Sequence, residues 1–579
     1  MQRYFICGIL FLWPLLLFGQ GEGDPRLGER LYIEGLLASG DHVAALTQGD
    51  VPISGKFSCG QCHRKSGYGA SEGGVYVLPI TAKSLYEPRE LNRAQNFTKL
   101  FKEDQSKLFW ARMRSPRMRP AYTDATLAHA IRTGIDPSGR DLHQLMPRYQ
   151  IPDQDMRNVV AYLKQLSVAA DPGVDESKFY FAVVIAGKVD KAKREAVLTT
   201  THKFVKWMNL ETSGNARNPA FSPHYRSDFV KSARAWDVTV WELDGPPQTW
   251  KHQLAAYYKE RPVFAVIGGV VEGPWSPFQL FCEEEKLPCL FPHTDLPEKD
   301  GTHYSVHWTR GLTLEGELIG HYLQQSSLPT SPSATASLIR VLQIYVDGAF
   351  GTIPAGALAS RLGAPQFEVE KRSFSDIASL ERELNRAISA SKPYDVLVLW
   401  PGEYSEAAMQ WLVAKPRSPV PRIFFPYKAL ENALPALPDW LVERVYFSYP
   451  YDHPDAYHPN SFRVRSWMNS QGIKISHPNI QLSTYFSLNV LQYSLEEMVE
   501  RFSREYLLEN VERIVESAIN PGVYPHLSLG PGQRFASRGG YIVKLNAAKG
   551  LTTVNNWVIP DKPVGSVPRG NVPISLSVE

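Results

Sequence analysis

The chain has almost no surplus charge of either sign. Its 579 residues carry 62 Lys and Arg against 59 Asp and Glu. A phosphate polymer needs a concentrated basic face, so nucleic acid is excluded as a partner. Long apolar runs are also missing. Only the segment from Phe5 to Phe18, with Pro14 inside it, is predominantly apolar, and at about 14 to 16 residues it falls short of the roughly 20 that a membrane span needs. Heptads, low-complexity tracts and short-period repeats are absent, as are a nucleophile elbow, an H-E-x-x-H pair and a phosphate-binding glycine loop. Cysteine is sparse, with five residues, and each of the five has a distinct context.

Cys59 and Cys62 stand with His63 in C-G-Q-C-H. At this spacing two thiols can thioether-link the vinyl groups of one haem while the histidine turns back onto its iron. Half of a zinc site is the alternative. A structural zinc needs four ligands, however, and the remaining pair, Cys282 and Cys289, lies about 220 residues away. One covalent haem c is therefore the expected cofactor, with His63 as an axial ligand. Met146, in L-H-Q-L-M-P-R-Y, is the candidate for the sixth position. Its soft, uncharged thioether, paired with histidine, raises the reduction potential and suits an electron carrier. His143, Met118, His129 and Met113 are the alternative ligands, and methionine is also a frequent gap filler in cores. Iron closed by Met146 leaves no open position for oxidase or peroxidase chemistry, so the chain is read as a carrier or binding protein rather than an enzyme.

Covalent haem attachment takes place outside the cytoplasm, which implies an export signal. Residues 1–21 fit one, with Arg3 ahead of the apolar run and Gly19, Gln20 and Gly21 after it. A retained N-terminal anchor is the alternative to cleavage. Cys7 would leave with the signal peptide. Cys282 and Cys289 then remain as an even pair in an oxidising compartment, which makes a disulfide across their eight-residue loop the expectation and a redox-active dithiol the alternative. The expected location is the periplasm.

About 560 residues exceed one hydrophobic core. The boundary is placed at Ala169 to Gly173, a cluster of small residues and proline. Residues 24–170 read as helical. Met156, Val159, Val160, Leu163 and Leu166 form one apolar stripe behind Asp153, and T-D-A-T-L-A-H-A-I-R-T-G runs from a Thr cap to Gly134. From 176 to 562 apolar strands alternate with amphipathic helices, among them Y-F-A-V-V-I-A, 263–269, 337–346, 394–400 and 422–426. Such strands belong to parallel sheets covered on both faces. Two α/β lobes are expected, with a ligand between them at the strands' C-terminal ends. Residues 563–579 read as an irregular tail.

The first half resembles class I cytochrome c domains, through C-G-Q-C-H, the glycine-rich stretch from Gly67 to Gly74, I-R-T-G-I-D-P-S-G-R, M-P-R-Y and A-Y-L-K-Q-L. The resemblance implies an all-α domain in which Pro79 lends its carbonyl to His63. The second half resembles the type I periplasmic substrate-binding proteins, the branched-chain amino acid group of ABC transporters, through A-V-I-G-G, L-P-C-L-F-P, H-W-T-R-G-L-T-L-E-G-E-L-I-G-H-Y-L and I-Y-V-D-G-A-F-G. This resemblance implies that Ser276 and Thr294, with His293 beside them, meet a ligand carboxylate, and that Phe350 and Trp400 supply aromatic lids. Core packing is the alternative for both aromatics. Where an acid would receive a ligand's ammonium, the sequence has Tyr427 and Lys428. Desolvating an amino group without a carboxylate partner costs several kcal/mol, so another small molecule, or a docking surface, is expected instead of an ordinary amino acid. Fusions of this kind resemble accessory proteins of quinoprotein (PQQ) alcohol dehydrogenase systems. The resemblance implies a periplasmic electron-transfer protein whose redox partner is a dehydrogenase or another cytochrome. The alternative is a transport receptor for a small-molecule ligand, partnered by a membrane permease, with an auxiliary haem domain.

Overall fold

The computed structural model describes residues 22–560 apart from 48–50, 54–55, 73–74, 89–118, 218–233, 299–301, 327–337, 416–419, 421, 434–436, 455, 457, 499–501 and 547–549. The expected signal peptide, the tail from 563 and the alternative ligands Met113 and Met118 lie outside the described residues. The chain divides into two compact units, one through Ala170 and one from Asp171. Among the described residues no helix is long and apolar enough to cross a membrane.

The first unit is built on the helices Pro25–Glu34, Cys59–His63, Ala82–Tyr86, Asp124–Thr133 and Asp153–Leu163. It is not wholly α. Strands β1 (Ala44–Leu46), β2 (Ser71–Glu72), β3 (Val75–Tyr76) and β4 (Arg148–Gln150) form two short antiparallel pairs, β1 with β4 and β2 with β3. Thr123 caps the Asp124 helix by accepting from Thr126 N, and Gly134 ends it at φ 76°. The stripe of Met156, Val159, Val160 and Leu163 is buried together with Leu31, Tyr32 and Tyr149. The first and last helices approach so closely that a Cβ at Gly28 would lie 2.0 Å from Asn158 O. Only glycine fits that crossing.

The second unit holds two sheets. The first contains β5 (Lys178–Gly187), β6 (Ala235–Leu243), β7 (Ala265–Glu272), β8 (Cys289–Leu290), β9 (His293–Thr294) and β10 (Ser305–Val306). Its order is β10-β8-β7-β5-β6, with β9 on β7, and every pairing is parallel. At Gly269, φ 96°, β7 shifts register against β5, and a Cβ there would strike Val184 O at 2.1 Å. The second sheet contains β11 (Ile339–Val346), β12 (Phe367–Phe374), β13 (Val396–Trp400), β14 (Arg422–Phe425), β15 (Val445–Tyr449), β16 (Tyr541–Leu545) and β17 (Leu551–Thr553), in the order β12-β11-β13-β14-β15-β16-β17. Its last two strands are antiparallel. Along β13, Leu397 and Leu399 join one apolar cluster while Val396, Val398 and Trp400 join the other. The period of two thus buries both faces of the sheet.

The helices Pro459–Ser470, Pro478–Glu496 and Arg504–Ile514 return to the core of the first sheet, whereas Gly311–Gln325 packs on the second. The chain therefore crosses between the lobes near 307–310, 450–454 and 537–540. Asp171 fixes the start of the unit, its N donating to Phe502 O at 2.9 Å and its Oδ2 accepting from Arg504 N at 2.7 Å.

Candidate functional site

The C-terminal ends of β7, β9 and β14 meet at a cavity of about 110 Å³ between the two lobes. From the first lobe come Lys193, Glu272, His293, Thr294 and Asp295, and from the second Glu315, Tyr427 and Lys428. Residues of the crossing segments, His307, Trp308 and Tyr451 among them, complete the wall. Strands that end in a cleft leave polar strand-end residues facing it.

Lys428 is the centre of the charge arrangement. Its Nζ lies 2.7 Å from Glu272 Oε2 and 2.8 Å from Asp295 Oδ2, and 5.9 Å from the ring centroid of Phe350. Burial works against the ammonium, but the two carboxylates overcome it and push the Lys428 pKa up. Burial also opposes ionisation of Asp295, and Lys428 and Lys193 outweigh it, holding Asp295 below its usual range. Lys193 Nζ is 3.6 Å from Glu272 Oε1. Glu315 accepts from Tyr427 N at 2.7 Å and from Ser448 Oγ, yet burial pushes its carboxyl up to about 7. His293 meets Thr484 Oγ1 through Nε2 at 3.1 Å, and burial lowers it to about 4. The Tyr427 hydroxyl accepts from Asn479 Nδ2 at 2.9 Å, a second polar link between the lobes.

Of the expected cleft residues, Thr294, His293 and Tyr427 line the cavity. Thr294 Oγ1 accepts from Leu296 N at 3.2 Å. Ser276 is not in the wall: it opens the helix Ser276–Glu284, past the turn that buries Trp275. Trp400 is 1 % exposed on the packed face of β13, and its indole N–H donates to Gln343 Oε1 at 2.9 Å, so it is a core side chain and not a lid. Phe350 reaches the site only by flanking Lys428. Cys282 and Cys289 are joined by a disulfide, Cα to Cα 6.4 Å, that ties the Ser276–Glu284 helix to β8.

Glu272, Asp295, Glu315, His307 and Trp308 are cleft residues with no counterpart among the expected ones, and Lys428 is expected only as standing in an acid's place. Glu272 carried a usable signal, since it closes the apolar run A-V-I-G-G-V-V-E at its C-terminal end. The others depend on how the lobes meet.

In the first unit Cys59 and Cys62 stand on one short helix that ends at His63. His63 is 8 % exposed, and its Nδ1 lies 3.0 Å from the carbonyl of Leu78. The expected carbonyl was that of Pro79. The residue before a proline is held extended, which is how Leu78 presents its oxygen instead. Burial lowers His63 to about 4, leaving a neutral imidazole. Met146 is partly buried against the same apolar core. His129 and His143 are described, His143 accepting from Leu145 N at 3.2 Å.

No family model and no curated protein matches the chain. Solved structures similar to this chain include a branched-chain amino acid ABC transporter protein from Thermus thermophilus with bound valine, 9 % identical over 66 % of this chain and 97 % of that one, TM-score 0.49. A solute-binding protein of an ABC transporter from Rhodopseudomonas palustris BisB5, in complex with 3,4-dihydroxybenzoic acid, is 14 % identical over 68 % and 100 %, TM-score 0.48. A possible leucine/isoleucine/valine-binding protein from Rhodopirellula baltica is 12 % identical over 67 % and 98 %, TM-score 0.45.

Proposed function

We propose that the unit from Asp171 is a receptor for a small molecule, held between its two lobes, in a protein exported to the periplasm. One observation carries this reading. The cavity between the lobes draws its wall from both and is crossed by the Lys428 ion pairs, so binding there and closure of the lobes are the same event. A membrane permease is the natural partner of such a receptor. A thermal-shift screen of the full chain against amino acids, amides, polyols and short organic acids tests it, because a ligand raises stability by RT ln(1 + [L]/Kd). A melting temperature that no solute raises overturns the reading.

The His63 geometry favours a second role for the first unit. A ring whose Nδ1 is committed to Leu78 O keeps Nε2 as the lone-pair donor, the arrangement by which a hydrogen-bonded partner fixes a metal-ligating histidine. Two thiols precede it on the same helix, so the donor set fits a covalent haem c. Cys59 and Cys62 would hold the porphyrin, and His63 and Met146 the iron. Haem supplies one-electron transfer. This chain's own residues hold the histidine neutral and orient it through Leu78 O, while Cys59 and Met146 pack against the apolar core of Leu31, Tyr32 and Tyr149. The redox partner would be a dehydrogenase or another cytochrome, with accessory service to a quinoprotein alcohol dehydrogenase as the specific case. Mass spectrometry of the exported protein should find a covalent porphyrin adduct, and its absence would remove the electron-transfer role.

A further inference from the structure

The cleft's formal charges are already matched within the chain. Lys193 and Lys428 face Glu272 and Asp295, while Glu315 is occupied by Tyr427 N and Ser448 Oγ. A ligand ammonium would meet carboxylates whose charge Lys428 has taken, and a ligand carboxylate would meet ammonium groups already committed. Removing a charged ligand from water without a partner of opposite charge is costly. Charged solutes are therefore disfavoured.

Uncharged polar contact is what the wall still offers. His307 is 1 % exposed, and neither of its ring nitrogens has a hydrogen-bond partner among the described residues; Trp308, 3 % exposed, has none at Nε1. Both line the cavity. They are held there rigidly: His307 lies edge-on to Trp275 at 5.2 Å and stacks on Phe535 at 5.6 Å, and Trp308 stacks on Phe291 at 4.1 Å and Phe486 at 5.3 Å. Leaving such groups unsatisfied is costly, and a polar occupant of the cavity that reaches these nitrogens removes that cost. Burial keeps His307 neutral, its pKa lowered to about 3, and a neutral imidazole offers one donor and one acceptor.

We infer that Lys428 is a specificity-determining residue that fills the cleft's cation position from within the chain, so that the site takes a small, uncharged polar solute, an amide or polyol, satisfied by His307 and Trp308. This rests on the receptor reading and gives it a substrate class. The cavity of about 110 Å³ provides on the order of ten water-sized positions, enough for roughly five to ten non-hydrogen atoms.

The test is calorimetric titration of the full chain with butyramide, glycerol and 1,2-propanediol, and with the charged isosteres isobutylamine, isobutyrate and valine, on wild type and Lys428→Met. Wild type should bind at least one uncharged probe and no charged one. Lys428→Met, with Glu272 and Asp295 released, should gain isobutylamine binding by about tenfold or more, equivalent to about 1.4 kcal/mol. If that variant does not fold, Lys428→Met with Glu272→Gln keeps Asp295 as the acceptor and should show the same gain. Trp308→Phe should weaken the uncharged probe and leave isobutylamine in the Lys428 variant unaffected. Binding of valine, isobutylamine or isobutyrate by wild type, failure of every uncharged probe to bind it, or no gain in either Lys428 variant overturns the inference and leaves the receptor reading standing. Absence of binding by any probe to any variant overturns both.

Discussion

Lys428 of the second lobe lies 2.8 Å from Asp295 of the first, an ion pair that spans the cleft. Asp295 is held below its usual range by Lys428 and Lys193 despite its burial. For a carboxyl depressed in the folded state, the stabilisation is present above the unfolded value, about 3.9 for Asp, and is lost as pH falls through the folded value. The melting temperature of wild type should therefore drop on acidification below about pH 4 more steeply than that of Lys428→Met. Parallel curves for the two proteins would show that the pair does not hold the lobes.

Glu315 gives the opposite slope. Its carboxyl is pushed up to about 7 by burial, so the folded protein holds a proton that the unfolded chain releases near 4.3. Stability contributed through this group falls as pH rises from about 4 to about 7, by up to roughly 3 kcal/mol. Glu315→Gln should flatten that part of the pH–stability curve. A variant with the wild-type slope would place the titration elsewhere.

Trp400→Phe should lower stability without altering solute binding. The change leaves Gln343 Oε1, in a fully buried side chain, without its indole donor, at a cost of about 1 to 3 kcal/mol. Denaturant unfolding reads the loss. A changed solute affinity at constant stability would return Trp400 to the ligand wall.

Replacing both Cys282 and Cys289 by Ser opens an eight-residue loop joining a helix to β8. Loop-closure entropy puts the loss at roughly 2 to 3 kcal/mol. Reductant should lower the wild-type melting temperature by a matching amount and leave the double variant unchanged. A double variant as stable as wild type would make the link dispensable.

Local patterns were legible in the sequence because neighbours along the chain decide them. The stripe from Met156 to Leu163, the Thr123 cap with its Gly134 stop, and the continuous apolar runs of β5, β7, β11 and β13 lie where their periods put them. The cleft was less legible. Thr294 and Tyr427 sit at strand ends and could be placed, but the partnership of Lys428 with Glu272 joins residues 156 apart through the approach of two lobes. Trp400 misled because a strand-end aromatic looks the same in sequence whether it faces a cleft or, as here, the packed side of β13. His63 takes the oxygen of Leu78, one residue before the expected Pro79, because the proline ring holds the residue ahead of it extended.

If a solute is gripped by both lobes at once, hydrogen–deuterium exchange of the full chain, with and without saturating butyramide, glycerol or 1,2-propanediol, whichever of them binds in the titration, reads that grip in both lobes together. Added protection is expected together at 291–295 in the first lobe, 307–311 in the crossing segment and 427–430 in the second. Protection confined to one lobe, or none, would contradict it.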